Sequence, residues 1–180
     1  MSPTRRRRDE PPRDGTAMST GALPYRPNVG AVLFNAAGAV FLARRADLAN
    51  AEGVAGGWQF PQGGIDPGED PRQAVLRELA EEIGTDRAEI LAEHPDWLSY
   101  DLPPELIGRA LGGRYRGQRQ RWFALRFTGR DAEIRLDRDP HPEFDAWRWG
   151  RLAEVPDLAV GFKRPIYRVL ASSFARFAGA

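Results

Sequence analysis

Three carboxylates at helical spacing, Glu78, Glu81 and Glu82, follow closely on a glycine-rich turn, Gly63-Gly64-Ile65-Asp66-Pro67-Gly68-Glu69. At about 100° per residue, with Val75 at the origin, the apolar residues Val75, Leu76, Leu79, Ala80 and Ile83 fall between about 0° and 140°. Glu78, Glu81 and Glu82 fall between about 240° and 340°. One arc can pack on a core while the other gathers three negative charges. Like charges three and four residues apart repel and weaken an isolated helix. Hard divalent cations with oxygen ligands cancel that repulsion, and Mg²⁺ is usually held by a few carboxylates together with substrate phosphates. For an arbitrary E-x-x-E-E stretch, solvated surface glutamates are the commoner reading. The surroundings decide against it here.

Local signals bracket this helix. Asp70, Pro71 and Gln73 read as N-cap, first-turn proline and capping-box partner. Gly84 is the expected stop just past the last helical residue. The spacing predicts a helix over 71–83. Gly63, Gly64 and Gly68 in the preceding loop allow the backbone to approach a ligand closely.

Gly63, Glu69, Arg77, Glu78, Leu79, Glu81, Glu82 and Gly84 fill every fixed position of the pattern G-x5-E-x7-R-E-U-x-E-E-x-G, with U apolar. That pattern is the Nudix box, and the chain is identified as a member of the Nudix family by its resemblance. Thr85 departs from the aliphatic residue usual there, at a position that packs rather than catalyses. Five further strings narrow the likeness: Tyr25-Arg26-Pro27-Asn28-Val29-Gly30, Trp58 to Gly64, Gly117 to Phe123, Pro142 to Trp149, and Gly161-Phe162-Lys163-Arg164. They resemble the bacterial RNA pyrophosphohydrolase branch, which is closely related to the asymmetric dinucleoside tetraphosphate hydrolases. The likeness runs from about Tyr25 to Phe177. It is weakest at the insertion 51–56, at Arg119 and Arg121 where lysines are common, and from Arg109 to Gly117.

The resemblance implies an α/β protein, a mixed β-sheet sandwiched between α-helices. It implies that Glu78, Glu81, Glu82 and Glu143 bind Mg²⁺, with Mn²⁺ or another divalent cation as a substitute, and carry catalysis. Glu81, Glu82 and Glu143 are the candidates for general base. Gly63, Glu69 and Arg77 are implied as structural supports, with Arg77 pairing to Glu69. Arg26, Arg44 and Lys163 are candidates for clamping a polyphosphate, Tyr100 and Gln118 for further substrate contact, and Phe162 for stacking on a base, with a place in the core as the alternative for Phe162. The implied reaction is hydrolysis of a phosphoanhydride, converting 5′-triphosphate RNA ends to monophosphates and so initiating mRNA decay. A dinucleoside polyphosphate substrate is the alternative. A Nudix-fold RNA-binding or regulatory protein without catalysis is the third reading, against which the intact glutamate set argues.

The rest of the chain must position these residues. Residues 28–34 and 39–44 read as two strands joined by the turn Asn35-Ala36-Ala37-Gly38. Further strands are expected at 90–92, 97–102, 121–128, 132–136 and 144–149. A last helix should begin near Pro165, with Ile166, Val169, Leu170, Phe174 and Phe177 as its apolar stripe. From Arg109 to Arg130 seven arginines occur with no acidic residue, which suits a polyanion lying beside the acidic box, a solvated basic face being the alternative.

A length of 180 residues is ample for one core and short for two. Zero cysteines exclude a disulfide framework, a thiolate metal site and a cysteine nucleophile, and are compatible with a cytoplasmic protein. Only His94 and His141 are available for a histidine-rich zinc centre. No apolar run is long enough to span a membrane, and no obligate protein partner is evident. Residues 1–24, with Arg5 to Arg8, read as a disordered basic tail ahead of a domain over 25–180. The arginine run could attract RNA, or Met18 could be the true initiator.

Overall fold

The runs Val29–Phe34, Val40–Ala43 and Trp122–Leu125 are buried at every residue, a pattern a strand sustains only when both faces of its sheet are covered. The computed structural model describes residues 23–48 and 57–179. The expected basic tail, with Arg5 to Arg8 and Met18, lies outside the described residues except for Leu23 and Pro24, and so does the insertion at 51–56. Eight described strands form one sheet: β1 (Tyr25–Phe34), β2 (Val40–Arg45), β3 (Trp58–Gln59), β4 (Gln62–Gly64), β5 (Ala88–Glu93), β6 (Leu98–Asp101), β7 (Gly117–Phe127) and β8 (Phe144–Gly150). The main path runs β3-β2-β1-β7-β5, with β4 on β1, β6 on β7 and β8 on β2. β1 and β7 lie parallel from Tyr25↔Gly117 to Phe34↔Arg126, and the other pairs are antiparallel.

Side-chain alternation along these strands divides the core in two. Val32, Phe34, Val40, Leu42, Trp122 and Ala124 face one cluster, which α2 (Val155–Leu158) and α3 (Arg164–Ser173) cover through Val155, Ile166, Tyr167 and Leu170. Val29, Ala31, Leu33, Phe41, Ala43, Phe123 and Leu125 face the other. There α1 (Pro71–Ile83) lays down Ala74, Val75, Leu79 and Ile83. The result is the expected mixed sheet between helices.

α1 has the predicted bounds. The Asp70 carboxylate accepts from the Arg72 and Gln73 backbone N–H groups, and Gly84 closes the helix at φ 79°. A Cβ on Gly84 would fall 2.7 Å from the Arg135 carbonyl oxygen, so both conformation and space demand glycine. The strand expected at 132–136 does not form. The Arg135 backbone N–H donates to the Ile83 carbonyl at 2.8 Å and Ile134 is buried under α1. The alternation of Ala132, Ile134 and Leu136 thus serves a segment that caps a helix end, not a sheet. On α3, Tyr167 is buried while Val169 is exposed, so the stripe is rotated relative to the expected one. The four-residue α2 has no counterpart in the sequence reading.

Candidate active site

α1 turns its apolar arc to the sheet and its acidic arc to the end of β4. Gly63 on β4 lies so close that an added Cβ would collide with the Glu78 carboxylate. Only glycine lets that carboxylate lie against the strand. Glu82 accepts a hydrogen bond from the Gln62 backbone N–H at 3.1 Å. Glu82 keeps some contact with open space, yet burial pushes its pKa well above the ordinary carboxylate value, with Glu143 and Glu78 adding to the shift. Burial also raises Glu78, against the opposing pull of Arg77. Glu81 is exposed.

Arg77 organises this wall. Its Nε and Nη2 donate to the two oxygens of Glu69 at 2.7 and 2.8 Å, a bidentate pair. Nη2 also donates to the Gly64 carbonyl at 2.9 Å, and Nη1 to Glu78 at 2.8 Å. Glu81 reaches the same Nη1 at 3.3 Å. The predicted Arg77–Glu69 pair is therefore present, and one guanidinium ties the loop to the helix while facing two of the three helical carboxylates.

A single cavity of about 330 Å³ collects most of the expected residues. Glu78, Glu81, Glu82 and Glu143 line it together with Arg26, Arg45, Tyr100, Gln118 and Lys163. Glu143, far along the chain, is exposed and pairs with Arg45 at 2.7 Å. Lys163 is buried, its Nζ 3.3 Å from the Gln59 oxygen and over the Tyr100 ring. Burial first, and Arg45 next, lower its pKa to about 8.

Two expected substrate residues are not brought to this cavity. Arg44 pairs in bidentate fashion with Asp145, at 2.8 and 3.1 Å, and lies over Trp58. Successive strand residues face opposite sides, so Arg45 takes the position facing the carboxylates. The sequence reading missed it by one residue. The available signal was strand parity, blurred by a register shift between Arg44 and Arg45. Phe162 is half-buried, 5.3 Å from the Tyr100 ring between centroids, and packs on the core rather than lining the cavity. The arginines of 109–130 do not line it either. Arg116 pairs with Asp101, Arg121 with Glu93, and Arg119 lies over Trp97.

Hard carboxylate oxygens beside arginine and lysine are the donor set that would hold a divalent cation next to a polyphosphate. Among the described residues no three His, Cys, Asp or Glu side chains are already set to hold such an ion. Arg77 and Arg45 instead hold Glu78, Glu81 and Glu143. Glu81 and Glu143 are exposed, at 60% and 42%. Among the described residues no helix is long and apolar enough to cross a membrane.

Comparison with known proteins finds the NUDIX domain over residues 24–170. An RNA pyrophosphohydrolase of Gluconacetobacter diazotrophicus is 65% identical over 157 residues, covering 86% of this chain and 94% of that protein. One of Rhodospirillum rubrum is 55% identical, covering 89% and 93%. Two solved structures share the fold. The dihydroneopterin triphosphate pyrophosphohydrolase of E. coli aligns with a TM-score of 0.60 at 19% identity, covering 83% of this chain and 99% of that one. The C. elegans Ap4A hydrolase binary complex aligns with a TM-score of 0.58 at 21% identity, covering 84% and 98%.

Proposed function

The chain belongs to the Nudix family, and we propose that it hydrolyses 5′-triphosphate ends of RNA to 5′-monophosphates. It is a hydrolase of phosphoanhydrides. The observation that carries this reading is one cavity lined both by four carboxylates and by Arg26, Arg45 and Lys163. Acidic and basic groups around one cavity suit a polyphosphate accompanied by divalent cations, and RNA as the bearer is supported by the names of relatives matched over most of their length.

Nudix hydrolases generally use divalent cations; we take Mg²⁺ as the one used here, held by Glu78, Glu81, Glu82 and Glu143. When bound, such a cation neutralises phosphate charge, polarises the phosphoryl oxygen and activates water. Glu81, Glu82 or Glu143 accepts the proton of the attacking water. The new bond joins the water oxygen to phosphorus, and the anhydride bond breaks with departure of pyrophosphate or of single phosphates in turn. Arg26, Arg45 and Lys163 bind the phosphates and stabilise charge on the leaving group. Arg77 and Glu69 act at one remove, fixing the loop and Glu78. A cytoplasmic setting goes with such a substrate.

The test is direct. Purified protein with Mg²⁺ should convert a 5′-triphosphorylated oligoribonucleotide into a product degraded by a 5′-monophosphate-dependent exonuclease. An oligonucleotide that stays resistant would overturn the reading.

A further inference from the structure

The cavity contains a polarised set of amides. Trp122 is fully buried, and its indole Nε1, which can only donate, gives its proton to the Gln120 side-chain oxygen at 3.1 Å. Gly30 lies opposite, and any Cβ there would collide with the indole ring. The indole is thus seated, and it sets the orientation of the Gln120 amide. Gln120 Nε2 must then face the other way. It lies 2.9 Å from the Asn28 oxygen, 3.0 Å from the Gln62 oxygen and 3.0 Å from the Gln118 oxygen. Three amides turn their oxygens to one nitrogen, which leaves their NH₂ groups directed away from it.

Asn28, Gln62 and Gln118 all line the cavity. Asn28 is 1% exposed, and among the described residues its Nδ2 has no hydrogen-bond partner. A buried donor without a partner carries the full desolvation penalty. Turning the Asn28 amide over would only set its NH₂ against that of Gln120. Asn28 shares the cavity with Arg26, Arg45 and Lys163 as well as with the four carboxylates, so its donor belongs to the space that the polyphosphate reading assigns to an anion.

We propose that Asn28 is a phosphate-binding residue, its Nδ2 donating to a phosphate oxygen of the substrate, and that Gln120 is a positioning residue which aims it. The proposal rests on the polyphosphate reading of the same cavity. Gln120 Nε2 has two hydrogens for three acceptors, so removing the Asn28 oxygen leaves both hydrogens with partners. Asn28→Ala is therefore expected to leave the melting temperature unchanged or slightly higher.

The experiment measures kcat, KM and melting temperature with Mg²⁺ for wild type, Asn28→Ala, Asn28→Asp and Gln120→Glu, on 5′-triphosphorylated oligoribonucleotide. Asn28→Ala should lower kcat/KM by about 10- to 100-fold, as for a lost bond to a charged group. Asn28→Asp, which puts a carboxylate oxygen where the donor was, should lower it further. Gln120→Glu offers only acceptors, turns the Asn28 amide over, and should lower kcat/KM with little further loss on adding Asn28→Ala. If wild type is active and folded Asn28→Ala keeps wild-type kcat/KM, the Asn28 role is wrong. A large fall in melting temperature with unchanged kinetics per folded molecule would make Asn28 structural and overturn it too. Failure of the RNA reading looks different: wild type itself would leave the oligonucleotide intact. The same variants assayed on diadenosine tetraphosphate then decide the Asn28 role by the same criteria.

Discussion

The two walls of the cavity are built in opposite ways. The acidic wall comes mainly from one helix of 13 residues, and it carries its own organiser in Arg77, which holds Glu69, Glu78 and the Gly64 carbonyl. The basic wall is assembled from Arg26 on β1, Arg45 at the end of β2 and Lys163 just before α3. Lys163 is held by the distant Gln59, and Arg45 by the distant Glu143 as well as by its near neighbour Asp47. A short segment that brings its own counter-ion can be fixed by local geometry. A wall drawn from three elements depends on the whole sheet being in register.

The largest expected effect lies on the acidic wall. Glu82→Gln should reduce kcat by about 10²-fold or more, as when a key electrostatic group is removed. Because burial and the neighbouring Glu143 and Glu78 disfavour the charged form, the neutral amide should leave thermal stability unchanged or raised. A folded Glu82→Gln protein with full turnover would reduce that wall to a structural element. Next is its organiser. Arg77→Lys should lower activity by about 10- to 100-fold, the range for partners that orient metal ligands. Lysine cannot reproduce the bidentate grip on Glu69. Activity kept by Arg77→Lys would show that the wall organises itself.

The basic wall has an internal control one residue away. Arg45→Ala should reduce kcat/KM by about 10- to 100-fold through loss of a charged contact to phosphate. Arg44→Ala breaks a pair with Asp145 and a contact over Trp58, both away from the cavity, and should change kcat/KM by less than about threefold. Reversal of that order would break the comparison at its base. The smallest effect is on acid stability. Hydrogen bonds from Arg77, and next the Asp66 backbone N–H, hold Glu69 at about 2, against an ordinary value of 4.5. The Glu69 pair therefore contributes fully above pH 4.5, and its contribution is lost as pH falls toward 2. Across that window the melting temperature of wild type should fall more steeply than that of Glu69→Gln. Parallel falls would show that the pair adds nothing to stability.

The same contrast explains what the sequence made legible. Asp70, Pro71 and Gly84 are local signals, and α1 has the bounds they imply. Arg77, Glu69 and the glutamates lie within one short segment, so their spacing alone proposes the wall. Arg45 and Asn28 carry no comparable signal. Which face each presents depends on strand parity, on a register shift beside Arg44 and on the distant Trp122 and Gln120. The strand expected at 132–136 failed for a related reason. Its alternation is real, but its backbone bonds to the end of α1, a partner that periodicity cannot specify. Likewise the arginines of 109–130 formed a basic block in sequence, yet Asp101 and Glu93 from other strands draw two of them into ion pairs.

The central claim is that both walls act on one polyphosphate carried by RNA. A mixture of 5′-triphosphorylated oligoribonucleotide and diadenosine tetraphosphate at equal concentration, given to purified protein with Mg²⁺, tests it most directly through initial rates. The account predicts faster loss of the RNA triphosphate, with Glu82→Gln and Arg45→Ala each slowing it. Faster consumption of diadenosine tetraphosphate, with the RNA end left intact, would contradict it.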